Sequence, residues 1–346
     1  MSPVTKEATF PSTVQRRTFS ELALKIRVSG VLAFLLIISV IFSLLTARFF
    51  TVQNITVIAS NAAILAIVAS AQAIVLLTRN VDVSAGSMMG FTAYLTADYA
   101  ARHQGIGAEL VFMALVIGVV LGIINGLLVA YGKVSSLIAT LATMSLYRGF
   151  TYIYAHGQEV TSNKLPRWML NSVDLRIGGI PALVILCILI VAGVAIFLRD
   201  YPLGRQIYAV GSNPLASVFY GLRTQRIILL AYGLSGLLCG FAGLLYAARV
   251  GTVTVILASG WEMASLAAAV IGGVSVTGGS GTVIGAALGA LVLATVDNGL
   301  VLLGIPEFWR MFVQGSSIVA AAAVDVFIGL KIRDSLQRRR FGRTLV

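Results

Sequence analysis

The sequence predicts an all-α fold: a polytopic integral membrane protein with about ten transmembrane helices. Three observations predict it. Hydrophobic residues make up 58% of the 346 and charged residues only 11%, against about 45–50% and about 25% in soluble domains. Mean hydropathy is +0.95. Apolar runs of about the 20 residues that a membrane crossing needs follow one another, with short polar breaks, from residue 28 to residue 330.

Residues 1–14 are polar, and 15–27 (QRRTFSELALKIR) pattern as an amphipathic helix for the inner membrane surface. The expected spans are 28–47, 54–78, 82–101, 109–131, 134–155, 181–198, 226–248, 261–275, 283–303 and 311–330. The eighth is short and runs into Gly272 and Gly273, so a broken or tilted segment is expected there. The first run is too long for a signal-peptide core and lacks a small-residue cleavage site, so it is expected to stay. The chain thus divides into a tail at 1–27, a transmembrane domain at 28–331 and a basic tail at 332–346.

Lys and Arg set the orientation, because inside loops of membrane proteins collect them. With the N-terminus inside, ten spans return the C-terminus inside. The inside ends then hold Arg16, Arg17, Lys25, Arg27, Arg79, Lys133, Arg199, Arg205, Arg223, Arg226 and the tail KIRDSLQRRRFGR. The outside ends hold Arg48, Arg102, Arg148, Lys164, Arg167, Arg176, Arg249 and Arg310. This bias accounts for the net charge of +12 without nucleic acid as a partner.

Glycine is patterned. Gly118, Gly122 and Gly126 recur every fourth residue on one helix face, as do Gly281, Gly285 and Gly289, with Gly236 and Gly240 a shorter case. Helices gain no hydrophobic energy by leaving lipid, so small residues that let backbones approach mark packing ridges. Within one subunit or across a dimer, both arrangements fit.

The inside loop 199–226 carries a helix of its own. Asn213 suits an N-cap, Pro214 the first helical position, and Gly221 a left-handed stop, so Pro214 to Tyr220 is expected to be helical. It displays Leu215, Val218, Phe219 and Tyr220, much apolar surface for such a loop, which suits a docking partner or its own membrane domain.

LTRNVDVSAGSMMG, residues 77 to 90, places Arg79, Asn80 and Asp82 between two apolar runs. A buried ionised Asp at the bilayer centre costs about 2.5–3.5 kcal/mol on insertion scales. In one reading these groups form a turn at the inner interface: Arg79 pairs with Asp82, and Asn80 caps the third span with Ser84 in its first turn. In the other, Ser84, Ala85 and Gly86 allow a broken helix whose polar groups meet a translocation path. The topology favours the first, and a gate near the inner mouth fits both. NVDVSAGS (80–87) resembles GVSVTGGS (273–280), but other matched fragments disagree in offset, so chance explains the echo. Asp297 and Asn298 in the ninth span suit either a path or a structural pairing with Arg249 or Arg310. Arg148, with Tyr147, Tyr152 and Tyr154, reads as an interfacial belt by default, with a solute-facing position as the alternative.

Several chemistries find no support. Cys187 and Cys239 sit in apolar runs without metal-ligand spacing, His103 and His156 fall in loops, and no metal site is expected. No paired-Asp motif, HExxH or Ser/His dyad points to an intramembrane enzyme. An ion-coupled secondary transporter would want matched membrane acids, for which the sequence offers Asp82, Asp297, Glu262 and Asp325.

Four stretches carry a family resemblance. Gly204, Arg205, Tyr208, Ala209, Gly211, Asn213, Ala216 and Gly221 resemble the coupling segment of ABC importer permeases of the ribose, xylose and arabinose type. Residues 79–86 resemble that family's Gly-Gly-Ile-Asp-Leu-Ser-Val-Gly motif, and IATLATMSLYRG (138–149) and VIGGVSVTGGSGTVIGA (270–286) match further. The resemblance covers about residues 50 to 330. Arg-Asn in place of Gly-Gly, with DNGLVLLGIPEFW (297–309), resembles the autoinducer-2 import branch, and rhamnose permeases share the Thr-Arg feature.

The resemblance implies a permease subunit in a bacterial inner membrane, importing a small sugar-like solute: autoinducer-2, or ribose, rhamnose or another monosaccharide. It implies a second permease subunit, identical or related, two ATP-binding cassette subunits and a periplasmic solute-binding protein. Coupling to the ATPase then falls to Gly204, Arg205, Gly211, Asn213, Pro214, Leu215, Ala216, Phe219 and Gly221. GVSVTGGS has the glycine and serine spacing of a phosphate loop, but Gly279 stands where the phosphate-binding Lys belongs. The chain is thus expected to be no enzyme and to bind no cofactor, with ATP used by partner subunits.

Overall fold

The structure, a computed structural model, describes residues 13–103, 105–316, 319 and 323, with side chains described from residue 29 onward except Asp174. Residues 1–12, the basic tail and most of the expected tenth span lie outside the described residues.

The helices are α1 (Thr13–Leu45), α2 (Val52–Leu77), α3 (Ala85–Arg102), α4 (Glu109–Ala130), α5 (Ser136–Ala155), α6 (Arg167–Asp174), α7 (Ala182–Asp200), α8 (Pro202–Ser212), α9 (Pro214–Phe219), α10 (Thr224–Val250), α11 (Trp261–Ile271) and α12 (Val283–Leu302). Residues 307–316 are helical again. The ten expected spans map onto α1 to α5, α7, α10 to α12 and this last segment. Among the described residues, α2, α4, α7, α10 and α12 are long and apolar enough to cross a membrane. α3 and α5 have 18 and 20 residues but carry threonines, serines and tyrosines, many of them buried. α11 has 11 residues, the broken span that Gly272 and Gly273 foreshadowed.

Three features depart from the sequence reading. α1 runs unbroken from Thr13, so the backbone continues through the expected surface helix into the first span. α3 starts at Ala85, not residue 82, because residues 78–84 are a turn that satisfies its own polar groups. A further helix, α8, precedes the expected short one, with Pro202 at its start where a missing N–H leaves nothing unpaired.

α2 is the central post: nearly every residue from Ile58 to Leu77 is buried. α12, α10, α11 and α7 pack against it, while α4 packs on α10 and α1 on α12. The α4–α10 seam is built by glycine. A Cβ at Gly118 would meet the Gly236 carbonyl, and one at Gly122 the Tyr232 carbonyl and Gly236 Cα. Gly126 faces Leu229 and Tyr232. On the second ridge, Gly285 and Gly289 pack against α11 at Gly272 and Ala268. Gly281 does not belong to that ridge. It lies before α12 with φ +128°, backbone that favours glycine, and a Cβ there would strike Val274.

One end of the bundle gathers Arg79, Lys133, Arg199, Arg205, Arg223 and Arg226 at helix ends and turns. The other carries α6, a small hairpin pairing Arg176–Ile177 with Ile180–Pro181, and a bridge between Val160 and Val253. There Trp168 Nε1 donates to the Ile106 carbonyl at 2.7 Å.

Candidate functional site

The polar stretch 77–90 becomes the end of α2, a turn and the start of α3. Arg79 N–H donates to the Leu76 carbonyl at 2.9 Å, and Asn80 N–H to the Val75 carbonyl at 3.4 Å. Such closure needs a left-handed residue, usually glycine, and here Arg79 supplies it with φ 65°. Asn80 does not cap α3: its amide donates back to Thr78, at 2.9 Å to Oγ1 and 3.1 Å to the carbonyl. Ser84 is instead the residue before α3.

Asp82 is fully buried within the helix bundle. A buried carboxylate survives only where donors surround it, and they do. Its Oδ1 accepts from Ser84 N–H at 3.0 Å and Ser84 Oγ at 2.6 Å, and Ser235 Oγ lies 3.4 Å from its Oδ2. Its carbonyl accepts from Gln72 Nε2 at 2.5 Å. Asn125 Nδ2 donates to Ser84 Oγ at 2.7 Å, and Asn125 Oδ1 faces Tyr147 OH at 3.2 Å. The turn backbone is held equally: Val83 N–H donates to Thr140 Oγ1 at 3.1 Å, Val81 N–H to Ser136 Oγ at 3.3 Å, and Tyr232 OH donates to the Val81 carbonyl at 3.0 Å. Helices α2, α4, α5 and α10 thus all reach one turn. Ser235 lies 11 residues into α10, counted from Thr224, so the cluster sits roughly 16 Å inside that helix end at 1.5 Å per residue.

Arg79 does not pair with Asp82. Its guanidinium crosses to the end of α8, where Nε donates to the Gly211 carbonyl at 2.5 Å and Nη2 to the Ser212 carbonyl at 3.0 Å. The same spot is crowded by backbone. Gly279 N–H donates to the Leu77 carbonyl at 3.0 Å, and a Cβ on Gly211 would strike that carbonyl. GVSVTGGS is therefore the α11–α12 turn, folded onto the end of α2.

Of the residues expected to couple, Gly204, Arg205 and Gly211 lie on α8, with Gly204 against Leu198 at the end of α7 and Arg205 exposed. Asn213 Oδ1 accepts from Ala216 N–H at 3.0 Å and caps α9, which begins at Pro214. Gly221, at φ 79°, follows the helix. Ser217 Oγ ties α9 back to the Ala209 carbonyl at 3.0 Å. Leu215 is 76% exposed, Phe219 90% and Tyr220 85%, so α9 offers its apolar side chains outward at the Arg-rich end.

The remaining candidates lie elsewhere. Asp297 Oδ1 pairs with Arg310 Nη1 at 2.9 Å in a half-exposed contact that Glu307 shares. Asn298 is buried on the same helix, and its Oδ1 has no hydrogen-bond partner among the described residues. Arg148 Nη1 donates to the carbonyls of Val255 at 3.2 Å and Leu257 at 2.9 Å, closing the non-helical approach to α11. Both cysteines are buried and free. Among the described residues no group of three His, Cys, Asp or Glu could hold a metal. The sequence does not single out Gln72 and Ser235 as partners of Asp82, Asn125 as partner of Ser84 or Tyr232 as partner of Val81. Their signal was available: Gln72 and Asn125 are amides stranded inside apolar runs.

Comparison with known proteins agrees with this architecture. A family model described as branched-chain amino acid transport system / permease component matches residues 54–322. The Autoinducer 2 import system permease protein LsrC of Escherichia coli (strain K12 / DH10B) is 35% identical over 300 residues, 86% of each chain. Its namesake in Shigella flexneri matches to the same extent. The namesake in Photorhabdus laumondii is 33% identical over 311 residues, 88% of this chain and 90% of that one. No solved structure matches.

Proposed function

The chain belongs to the branched-chain amino acid transport system / permease component family, and on that premise we propose that it is the membrane-spanning permease subunit of an ATP-driven importer for autoinducer-2. The family supplies the permease role, and the relatives' names supply the solute. The observation that carries the mechanism is α9: a short helix, capped by Asn213, that presents Leu215, Phe219 and Tyr220 outward. An apolar face of this kind suits a groove on a partner. In this reading the partner is an ATP-binding cassette subunit, one of two, and ATP is used there; this chain binds no cofactor.

The remaining assembly is a second permease subunit, identical or related, and a periplasmic solute-binding protein that delivers the solute. The Arg-rich end then faces the cytoplasm, with both termini on that side of the inner membrane. The turn 78–84, with Asn80, Asp82 and Ser84, stands between the coupling helices and the membrane interior and serves as the gate. Its main chain is gripped from three helices, α2, α5 and α10, so a shift of α10 or α5 moves it.

The test is Phe219→Ser with Leu215→Ser in proteoliposomes holding the whole importer. ATPase subunits dissociate or ATP use no longer drives uptake, while this chain still folds and inserts. Wild-type uptake per ATP in the double variant contradicts the assignment of α9.

A further inference from the structure

We propose that Arg79 is a positioning residue, a strut that carries movement of the α8–α9 segment to the buried Asp82 turn; this rests on the importer reading above. Four observations converge on it. Its side chain leaves the Asp82 turn and ends on the Gly211 and Ser212 carbonyls, at 2.5 and 3.0 Å. Those carbonyls close α8 directly before the Asn213 cap of α9. The two short helices are tied to each other, because Ser217 Oγ on α9 donates to the Ala209 carbonyl on α8 at 3.0 Å. At the other end of the strut, Arg79 stands three residues before Asp82, on backbone with φ 65°.

The conformation and the side chain point to the same role. An arginine rarely adopts left-handed backbone, which glycine accepts freely. Here the strained position aims the guanidinium at two adjacent carbonyls, and its fork of N–H donors can meet both. Gly278 leaves room for the stem, since a Cβ there would strike Arg79 Cγ. A load on α9 therefore passes from the Ser212 and Gly211 carbonyls through Arg79 to Asn80 and Val81. Tyr232 and Ser136 hold Val81, and Gln72 and Ser84 hold Asp82, the next residue, within the bundle.

The experiment uses the complete importer in proteoliposomes with its solute-binding protein. It compares wild type, Arg79→Gly and Arg79→Lys by uptake per ATP hydrolysed and by amide exchange. Glycine keeps the φ of 65° and deletes the strut. Arg79→Gly is expected to assemble and hydrolyse ATP, with uptake per ATP lowered by roughly 5- to 150-fold, the span of typical coupling between sites. In wild type, exchange at 80–84 changes between nucleotide-free and ATP-bound states. In Arg79→Gly that change is lost, although residues 209–221 still respond. Arg79→Lys, a point donor on a flexible stem, falls between the two. A strut-free variant with wild-type uptake per ATP, or with a wild-type exchange response at 80–84, overturns the proposal. If Arg79→Gly does not assemble, Arg79→Lys decides: reduced uptake per ATP with ATP hydrolysis retained supports the strut, and wild-type coupling overturns it. A wild-type assembly without ATP-driven uptake refutes the importer reading, and the strut falls with it.

Discussion

Replacing Asp82 by alanine or by asparagine separates a structural carboxylate from an incidental one. In Asp82→Ala the Ser84 N–H and the Ser84 hydroxyl both lose their buried acceptor. Each unpaired buried group costs about 1–3 kcal/mol, so the two together cost about 2–6 kcal/mol. The Ser235 contact, at 3.4 Å, adds little. In Asp82→Asn the amide oxygen can keep both Ser84 bonds, and the new NH2 meets a serine hydroxyl that can accept, so the loss stays under about 1.5 kcal/mol. A chain of this size shifts by about 2 °C per kcal/mol. The purified protein in detergent is therefore expected to unfold about 4–12 °C lower with alanine and less than about 3 °C lower with asparagine. An alanine variant that melts with the wild type would refute the satisfied-carboxylate reasoning, as would an asparagine variant that melts with the alanine one.

Three further outcomes follow from the geometry. Gly118→Ala places a methyl against the Gly236 carbonyl, and forcing α4 from α10 lowers stability by about 1–3 kcal/mol; an unchanged melting temperature would contradict the seam. Arg148→Met uncaps the Val255 and Leu257 carbonyls, costing about 2–5 kcal/mol, and amide exchange at 251–262 should rise more than at α2. Asp297→Asn breaks a half-exposed pair with Arg310 worth less than about 1 kcal/mol, so the melting temperature should stay within about 2 °C of wild type.

Hydropathy located the spans because lipid demands long apolar helices whatever they pack against. It could not tell α2, buried on every side, from α4, whose faces lie half open, since both read as uniformly apolar. Cap chemistry at Asn213, Pro214 and Gly221 was local, and it set the bounds of α9 to within one residue. The Asp82 turn was misread for the opposite reason. Sequence proximity suggested that Arg79 and Asp82 pair, yet Arg79 ends far along the chain on Gly211 and Ser212, and the Asp82 carboxylate is met by Ser84 beside it and by Ser235 from α10. The fourfold glycine spacing held on the helices and failed at Gly281, where a turn rather than a seam requires glycine.

The most direct measurement compares cells with and without this gene, following the disappearance of autoinducer-2, ribose and rhamnose from the medium side by side. Loss of autoinducer-2 uptake alone is the predicted result. Autoinducer-2 uptake that persists without the gene, while ribose or rhamnose uptake fails, would contradict the assignment of the solute.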